Sequence, residues 1–322
     1  MHKNICLCLI IFLVTTASSN AQPIAPNVKR VLFLGNSITW AANYVNDVEA
    51  WITVHYPNRH IDFVNVGLPS ETVSGLSEEG HAGGQFPRPD LHERLQRVLE
   101  QTKPDLVFAC YGMNDGIYKP FDSARFQKFK EGIYWMHDEV VKTGARLIHI
   151  TPPVYDGVLA GNNFYNGVLD RYADWLLTLK GIEKWEVLDV HYPMEKYLQA
   201  HRAVDAQFKL DGFALSQDGV HPNETGHWIM AREILAYLGC EGAATCHGIA
   251  HEMGKIPNGP EILKLVTQRQ NMMRDAWLRS TKHKRPGLPD GLPLEEAMTK
   301  SDEMVKQINA LLKGKKMDPQ VN

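Results

Sequence analysis

Five short apolar runs, the last four of them each followed by a stretch with helical periodicity, constrain the fold of this chain more than any other feature of its sequence. The runs are apolar at most of their positions and do not alternate strictly with polar residues, which is typical of strands buried on both faces of a sheet. Strands of this kind that alternate with helices form a parallel sheet covered on two sides. The predicted strands are 31–34, 61–66, 105–110, 146–150 and 185–189.

Helical patterns lie between these runs, and the alternation stops near Leu238. The predicted helices are 91–101, 123–142, 164–179 and 225–238. Residues 257–322 are helical in pattern, with an interruption rich in proline and glycine at 286–293. We therefore expect a main domain at 22–245 and a helical C-terminal extension at 246–322. The extension either packs on the main domain or forms a separate module.

The first 21 residues have the pattern of a secretory signal. A positively charged start precedes an apolar run at 5–14, and small residues follow up to Ala21. The alternative is a retained anchor, although the run is short for a membrane span. The pattern predicts export to the periplasm or the extracellular space, with no stable membrane insertion once the signal is cleaved.

The net charge and the arrangement of histidines and cysteines argue against a nucleic-acid-binding protein and against a metalloprotein. The formal net charge of -3 gives no basic face for nucleic acid, which we exclude as a partner. The histidines lack the HExxH arrangement, and the cysteines lack metal-ligand spacing, so we expect no metal and no cofactor. Cys240 and Cys246 can close a small loop, and the sequence leaves their pairing open. Cys110 is expected to be a buried thiol.

Polar side chains suited to nucleophilic catalysis follow the first strand and precede the last helix of the main domain. Ser37 comes directly after the first strand, where it is either an exposed nucleophile or a helix cap. Asp218 and His221 stand three apart, so a carboxylate can orient an imidazole that accepts a serine proton. The same segment also suits a helix entry capped by Asn223, and both readings can hold together.

The loops after the second and third strands offer groups that can stabilise an oxyanion. Gly67 can present a backbone N–H, or it is simply a turn glycine. Asn114 can donate from its amide, and Asp115 can hold the loop through bonds to the backbone; the alternative is an ordinary Asx turn. Ligands of open parallel sheets bind beyond the carboxyl ends of the strands, which is where all these loops lie.

Taken together, these segments resemble the four blocks of the SGNH hydrolases, also called GDSL esterases. The blocks are 35–37, Gly67, 112–115 and 218–221, and the resemblance covers about residues 30–238. It implies a flavodoxin-like three-layer α/β sandwich with a five-stranded parallel sheet. It also implies a Ser-His-Asp triad in which Ser37 is the nucleophile, His221 the base and Asp218 the orienting acid. The implied oxyanion donors are Ser37, Gly67 and Asn114.

The resemblance implies hydrolysis of a carboxylic ester through an acyl-enzyme, on a small-molecule or polysaccharide substrate. For an exported member, O-acetylated carbohydrates are the first choice of substrate. The alternatives are a lysophospholipase or thioesterase for longer acyl chains, and a non-catalytic carbohydrate-binding protein on a hydrolase fold. Asn36 stands where the family usually has Asp, which changes the charge of the pocket but not the triad.

Two further segments are candidates for the border of the site. In the loop at 80–89, Arg88 is either a partner for a substrate carboxylate or, as we favour, a surface charge. The segment at 277–285 ends in basic residues. It either folds over the site or, as we favour, forms a solvated basic turn.

Overall fold

A computed structural model describes residues 24–159, 161, 164–209 and 212–314. Its five strands form one sheet in which every neighbouring pair is parallel, in the order β2-β1-β3-β4-β5. The strands are β1 (Arg30–Gly35), β2 (Asp62–Asn65), β3 (Leu106–Cys110), β4 (Arg146–Ile150) and β5 (Glu186–Leu188). The predicted fold class is confirmed, and each strand lies within two residues of its predicted bounds.

Ten α-helices are found among the described residues. They are α1 (Ser37–Trp40), α2 (Asn43–His55), α3 (Leu95–Thr102), α4 (Ser123–Lys142), α5 (Asn166–Ile182), α6 (His191–Phe208), α7 (Glu224–Tyr237), α8 (Ile249–Lys255), α9 (Gly259–Ser280) and α10 (Leu294–Leu312). Short 3-10 turns occur at His81–Gly84, Leu91–Glu93 and Ala243–Thr245. Helices α2 and α7 pack together on one face, while α4 and α5 contact β4 and β5.

The core is continuous from the sheet into both helical layers. Strand β3, at the centre of the sheet, is buried at every position, as an all-apolar strand between two helix layers should be. Phe33 of β1 and Phe108 of β3 stack with ring centroids 5.3 Å apart. Burial of this kind is the main force that holds the layers together.

The C-terminal helices attach to the edge of the sheet beside β2. Helix α9 contacts β2, α2 and α10. Its Gln270 amide donates to the Phe63 carbonyl at 2.8 Å, and its Arg269 is paired with Glu49 of α2 in a buried contact. The proposed division at 245/246 stays a prediction.

The predicted helix at 91–101 is interrupted, because Arg94 has non-helical backbone angles between a 3-10 turn and α3. Its guanidinium is fully buried against Glu71, with contacts of 2.6 and 2.7 Å, and it also donates to the Val66 carbonyl. The ion pair therefore joins the start of α3 to the loop that follows β2.

Candidate active site

Ser37 lies at the carboxyl end of β1 as the first residue of α1. The helix is capped by Asn36, whose Oδ1 accepts from the Ile38 N–H at 3.0 Å. Ser37 is therefore not the cap, and its hydroxyl is left for another partner. The amide of Asn36 makes the loop bond that a carboxylate at this position would also make, but without a charge.

The hydroxyl of Ser37 meets the imidazole of His221 across 184 positions of sequence, with Ser37 Oγ 2.9 Å from His221 Nε2. On the other side of the ring, His221 Nδ1 lies 2.6 Å from Asp218 Oδ2. A carboxylate only accepts, so Nδ1 carries the proton and Nε2 is free to accept from the serine. The three side chains form one hydrogen-bonded series.

Asp218 is held by the backbone of its own loop. Its Oδ1 accepts from Ser216 Oγ at 2.9 Å, from the Val220 N–H at 2.9 Å and from the His221 N–H at 2.8 Å. Partial burial alone would raise the pKa of Asp218. The bonds from the His221 ring and from the His221 and Val220 backbone outweigh it and hold the pKa well below its usual range. The carboxyl group is therefore charged wherever the imidazole is in use.

The same loop is also a helix entry. Asn223 caps α7 through a bond from the Gly226 N–H to Oδ1 at 3.1 Å, and its Nδ2 donates to the Ala214 carbonyl at 2.9 Å. The segment therefore both orients His221 through Asp218 and begins α7 with a cap at Asn223. The bonds made by Asp218 before His221 and by Asn223 after it fix the position of the His221 ring.

Asn114 lies in the loop after β3 and is buried. Its Nδ2 donates to the Glu71 carbonyl at 3.0 Å, and its Oδ1 accepts from Tyr118 Oη at 2.9 Å. An amide nitrogen has two N–H groups, so one remains for a ligand. Asp115 next to it accepts from the Val73 and Ser74 N–H groups and from the Gly112 N–H, each at 2.9 Å. Asp115 thereby ties this loop to the one after β2.

The structure argues against the predicted role of Gly67. Its N–H donates to Asn65 Oδ1 at 2.8 Å and is not left for an oxyanion. A Cβ at this position would lie 2.3 Å from the Trp40 nitrogen, which is closer than real contacts allow. Glycine is needed here because the chain after β2 passes directly against the end of α1.

Ser70, three residues later, was not among the predicted site residues. The Glu71 N–H bonds to the Leu68 carbonyl at 3.1 Å and closes a turn in which Ser70 has a φ of 68°. Among the described residues, the Ser70 N–H donates no backbone or side-chain hydrogen bond. The dipeptide Pro69-Ser70 was a signal for this turn, since proline favours its first central position.

The loop at 80–89 reaches this part of the molecule, and Arg88 is buried instead of forming the surface charge that we favoured. Its guanidinium binds both oxygens of Glu78, at 2.6 and 2.7 Å, and lies 5.3 Å from the centre of the Tyr118 ring. The basic segment after α9 is likewise not fully solvated, because Arg285 Nε donates to the Pro69 carbonyl at 3.0 Å.

Other predictions concern residues away from the site. Cys240 and Cys246 are free thiols in the structure, as is the buried Cys110.

The secretory signal at 1–21 lies outside the described residues. No helix in the described part of the chain has both the length and the apolar character needed to cross a membrane. Nor do three or more His, Cys, Asp or Glu side chains of that part form a group suited to a metal ion.

The model of the GDSL-like Lipase/Acylhydrolase family matches residues 33–229. The chain belongs to this family. It is accordingly a carboxylic ester hydrolase, as the resemblance of its four sequence blocks implied. The match begins within β1 and ends in α7, so it includes Ser37, Asn114, Asp218 and His221.

Among curated proteins, the chain is 25% identical over 237 residues to an acetylxylan esterase of Geobacillus stearothermophilus, covering 66% of this chain and 95% of the relative. A crystal structure of that esterase has a TM-score of 0.51 at 22% identity, with coverage of 66% and 94%. A gut microbial diltiazem-metabolizing enzyme has a TM-score of 0.62 at 15% identity and covers 91% of this chain and 97% of its own. The latter similarity extends the shared fold into the C-terminal helices.

Proposed function

We propose that this chain is a serine esterase that removes acetyl groups from carbohydrates. The observation that carries the proposal is the hydrogen-bonded series from Asp218 through His221 to Ser37, at 2.6 and 2.9 Å. A hydroxyl, a neutral imidazole that accepts its proton and a charged carboxylate that fixes the ring are the parts that acyl transfer requires.

The reaction has two halves. Ser37 Oγ attacks the ester carbonyl while its proton moves to His221 Nε2. The tetrahedral intermediate then expels the alcohol, which takes that proton and leaves an acyl-serine. A water molecule next gives a proton to His221 and attacks the acyl-serine, and Ser37 regains its proton as the acid departs. Asp218 stays ionised throughout and stabilises the imidazolium in each half.

We infer that the oxyanion is bound by the Ser37 N–H, the Ser70 N–H and the free N–H of the Asn114 amide. Ser70 replaces Gly67 because the N–H of Gly67 already has an acceptor, whereas that of Ser70 has none in the described structure. The bond from Asn114 to the Glu71 carbonyl holds the amide next to the Ser70 turn. A complex with a phosphonate inhibitor tests this, since its oxygen should lie about 3 Å from the Ser70 nitrogen.

The choice of an acetylated carbohydrate rests on the relative that acts on acetylxylan and on the openness of the site. The side chains of His221 and Asp218 are 49% and 56% exposed. Groups this accessible can meet an acetyl group carried on a polymer. A lysophospholipase or thioesterase would instead have to cover a long acyl chain.

Acetate release from a panel of acetylated polysaccharides, run beside aryl esters of increasing acyl length, tests the proposal. We expect turnover on acetyl substrates and a steep fall as the acyl chain lengthens. Ser37→Ala should reduce the rate to background, while Ser123→Ala, at an exposed position in α4, should not change it. A rate that rises with chain length would favour the lipid or thioester alternative. Turnover of none of the esters would favour a carbohydrate-binding protein.

We also propose that the enzyme works outside the cytoplasm after removal of residues 1–21. The support is the pattern of charged, apolar and small residues at the start of the sequence. N-terminal sequencing of protein recovered from the periplasm or the medium should begin at Gln22. Recovery of the intact chain with the membrane would contradict this.

A further inference from the structure

Arg285 brings a cation from the segment between α9 and α10 to the loop after β2. Its Nε donates to the Pro69 carbonyl at 3.0 Å, and its Nη1 donates to the Pro286 carbonyl at 2.7 Å. The guanidinium lies 5.3 Å from the centre of the Phe86 ring. The Pro69 carbonyl and the Ser70 N–H belong to one peptide group, so Arg285 stands one peptide away from the oxyanion donor proposed above.

The charge of Arg285 is not neutralised by a carboxylate within the described chain. The two neighbouring arginines differ in this respect, because Arg88 is paired with Glu78 and Arg94 with Glu71. Arg285 uses only two of its five N–H groups, both on carbonyl oxygens. One N–H of Nη1 and both N–H groups of Nη2 remain. They lie on the edge of the guanidinium that can bind the two oxygens of a carboxylate through parallel bonds.

A second unsatisfied group also contacts Phe86. The His81 ring packs edge-on to Phe86, with centroids 5.5 Å apart, and its side chain is 10% exposed. His81 Nδ1 lies 3.3 Å from Glu78 Oε1 and must donate to it, which leaves Nε2 as an acceptor. That Nε2 is buried and has no partner among the described residues. A buried acceptor without a partner is costly and rare in native structures.

We propose that Arg285, Phe86 and His81, together termed the Arg285 site, bind an acidic sugar unit of the substrate. The guanidinium would bind the sugar's carboxylate through two bonds. His81 Nε2, which substrate binding would have to uncover, would accept a hydroxyl hydrogen. A uronic acid unit carries both groups on one ring. This inference rests on the proposed carbohydrate esterase function. It specifies that the acetylated chain carries carboxylates near the acetyl group that is removed.

The test compares two forms of one acetylated oligogalacturonide, with free carboxylates and with those carboxylates converted to amides. The wild-type enzyme should release acetate from the acidic form with a kcat/KM about tenfold or more higher, through a lower KM, since charge-assisted paired bonds are strong. Added salt should remove most of this preference, because the site is partly exposed. Equal kcat/KM on the two forms would overturn the proposal without any variant.

Arg285→Gln should reduce kcat/KM on the acidic form about tenfold and change that on the amide form less than twofold. Lys284→Gln is the matched control, because it removes the same charge from the adjacent position of the same segment and should alter neither. Arg285→Lys should keep part of the preference. An equal loss on both forms would instead assign Arg285 to support of the Pro69 turn and would contradict the acidic subsite.

Hydrolysis of an aryl acetate, in every variant, separates this inference from the function on which it rests. If turnover of the aryl acetate requires Ser37 but the acidic form is not preferred, the Arg285 site is wrong and the esterase proposal stands. If the aryl acetate is hydrolysed independently of Ser37, the proposed function itself fails.

Discussion

At the scale of single residues, the orientation of the Asn114 amide is fixed from both ends. The Glu71 carbonyl can only accept, so it must face the amide nitrogen at 3.0 Å. Tyr118 Oη lies 2.9 Å from the amide oxygen and donates to it. The amide is therefore preorganised before any substrate arrives. Donors that need no rearrangement are the ones that stabilise a developing charge most effectively.

Asn114→Ala should reduce kcat several hundredfold and leave KM within about twofold. The physical reason is that loss of one oxyanion donor costs about 3–4 kcal/mol of activation free energy, while the ground state loses little. Steady-state kinetics on an acetyl ester measure both parameters.

Tyr118→Phe is the control for this prediction. It keeps the amide of Asn114 but removes the hydroxyl that orients it, and we expect a loss of kcat of about tenfold or less, since one neutral hydrogen bond is removed. Equal losses in the two variants would show that the amide acts through local packing and not as a donor to the oxyanion.

The same scale shows what sequence reasoning reached in the site and what it did not. The contact between Ser37 and His221 could be predicted because strand-end loops of a parallel sheet converge. For the donor in the second loop, the sequence predicts Gly67 and the proposal above replaces it by Ser70, three residues later, because the sequence does not reveal which of the two N–H groups is free. The Gly67 N–H donates to the side chain of Asn65, which is the last residue of β2.

At the scale of secondary structure elements, largely apolar runs made the strands predictable, whereas two main-domain helices longer than one turn were missed. Helix α2 is buried at nine consecutive positions, including Asn46, Asp47 and Glu49, because α7, α9 and α1 surround it. A helix covered on every side has no apolar stripe for periodicity to detect. Helix α6 was missed for the opposite reason, since it buries only His191, Met194 and Leu198.

Helix α4 contains a position where packing overrides helix propensity. A Cβ on Gly132 would lie 2.1 Å from the Val73 carbonyl oxygen, in the loop that Asp115 holds. Gly132→Ala should destabilise the protein by about 1–3 kcal/mol, as overpacking does, although alanine is favoured over glycine in a helix by about 1 kcal/mol. Urea denaturation measures the change in unfolding free energy.

The matched control is Gly181→Ala in α5, where a new Cβ would have no neighbour within 4 Å. This substitution should stabilise the protein by up to about 1 kcal/mol, since only the propensity changes. If both substitutions were stabilising, the close approach of α4 to the loop at Val73 would be wrong.

At the scale of the whole molecule, a buried carboxyl group links stability to pH. Asp47 lies in α2 and is 7% exposed, and burial together with the charge of Glu224 raises its pKa from 3.8 to about 8. Between these two values the unfolded chain ionises Asp47 while the folded chain keeps the proton. Stability therefore falls as pH rises through this window, by at most about 1.4 kcal/mol per pH unit. Below the window, both states are protonated and this loss is absent.

Asp47→Asn should remove this dependence. The variant should be about as stable as the wild type near pH 4 and more stable than it at pH 8, by at least about 1 kcal/mol. Thermal unfolding at a series of pH values measures the difference. Asp138→Asn, at an exposed position in α4, is the control and should run parallel to the wild type. If the stability of Asp47→Asn also changed with pH in parallel with that of the wild type, the buried carboxyl would be ionised in the folded state.

Peptide mass spectrometry after reaction with a serine-directed phosphonate identifies which serine of this enzyme is the nucleophile. The account predicts a single label on Ser37, lost in Ser37→Ala and formed far more slowly in His221→Ala, because the imidazole at 2.9 Å activates the hydroxyl. Labelling of another serine, or labelling of Ser37 at an unchanged rate without His221, would contradict it.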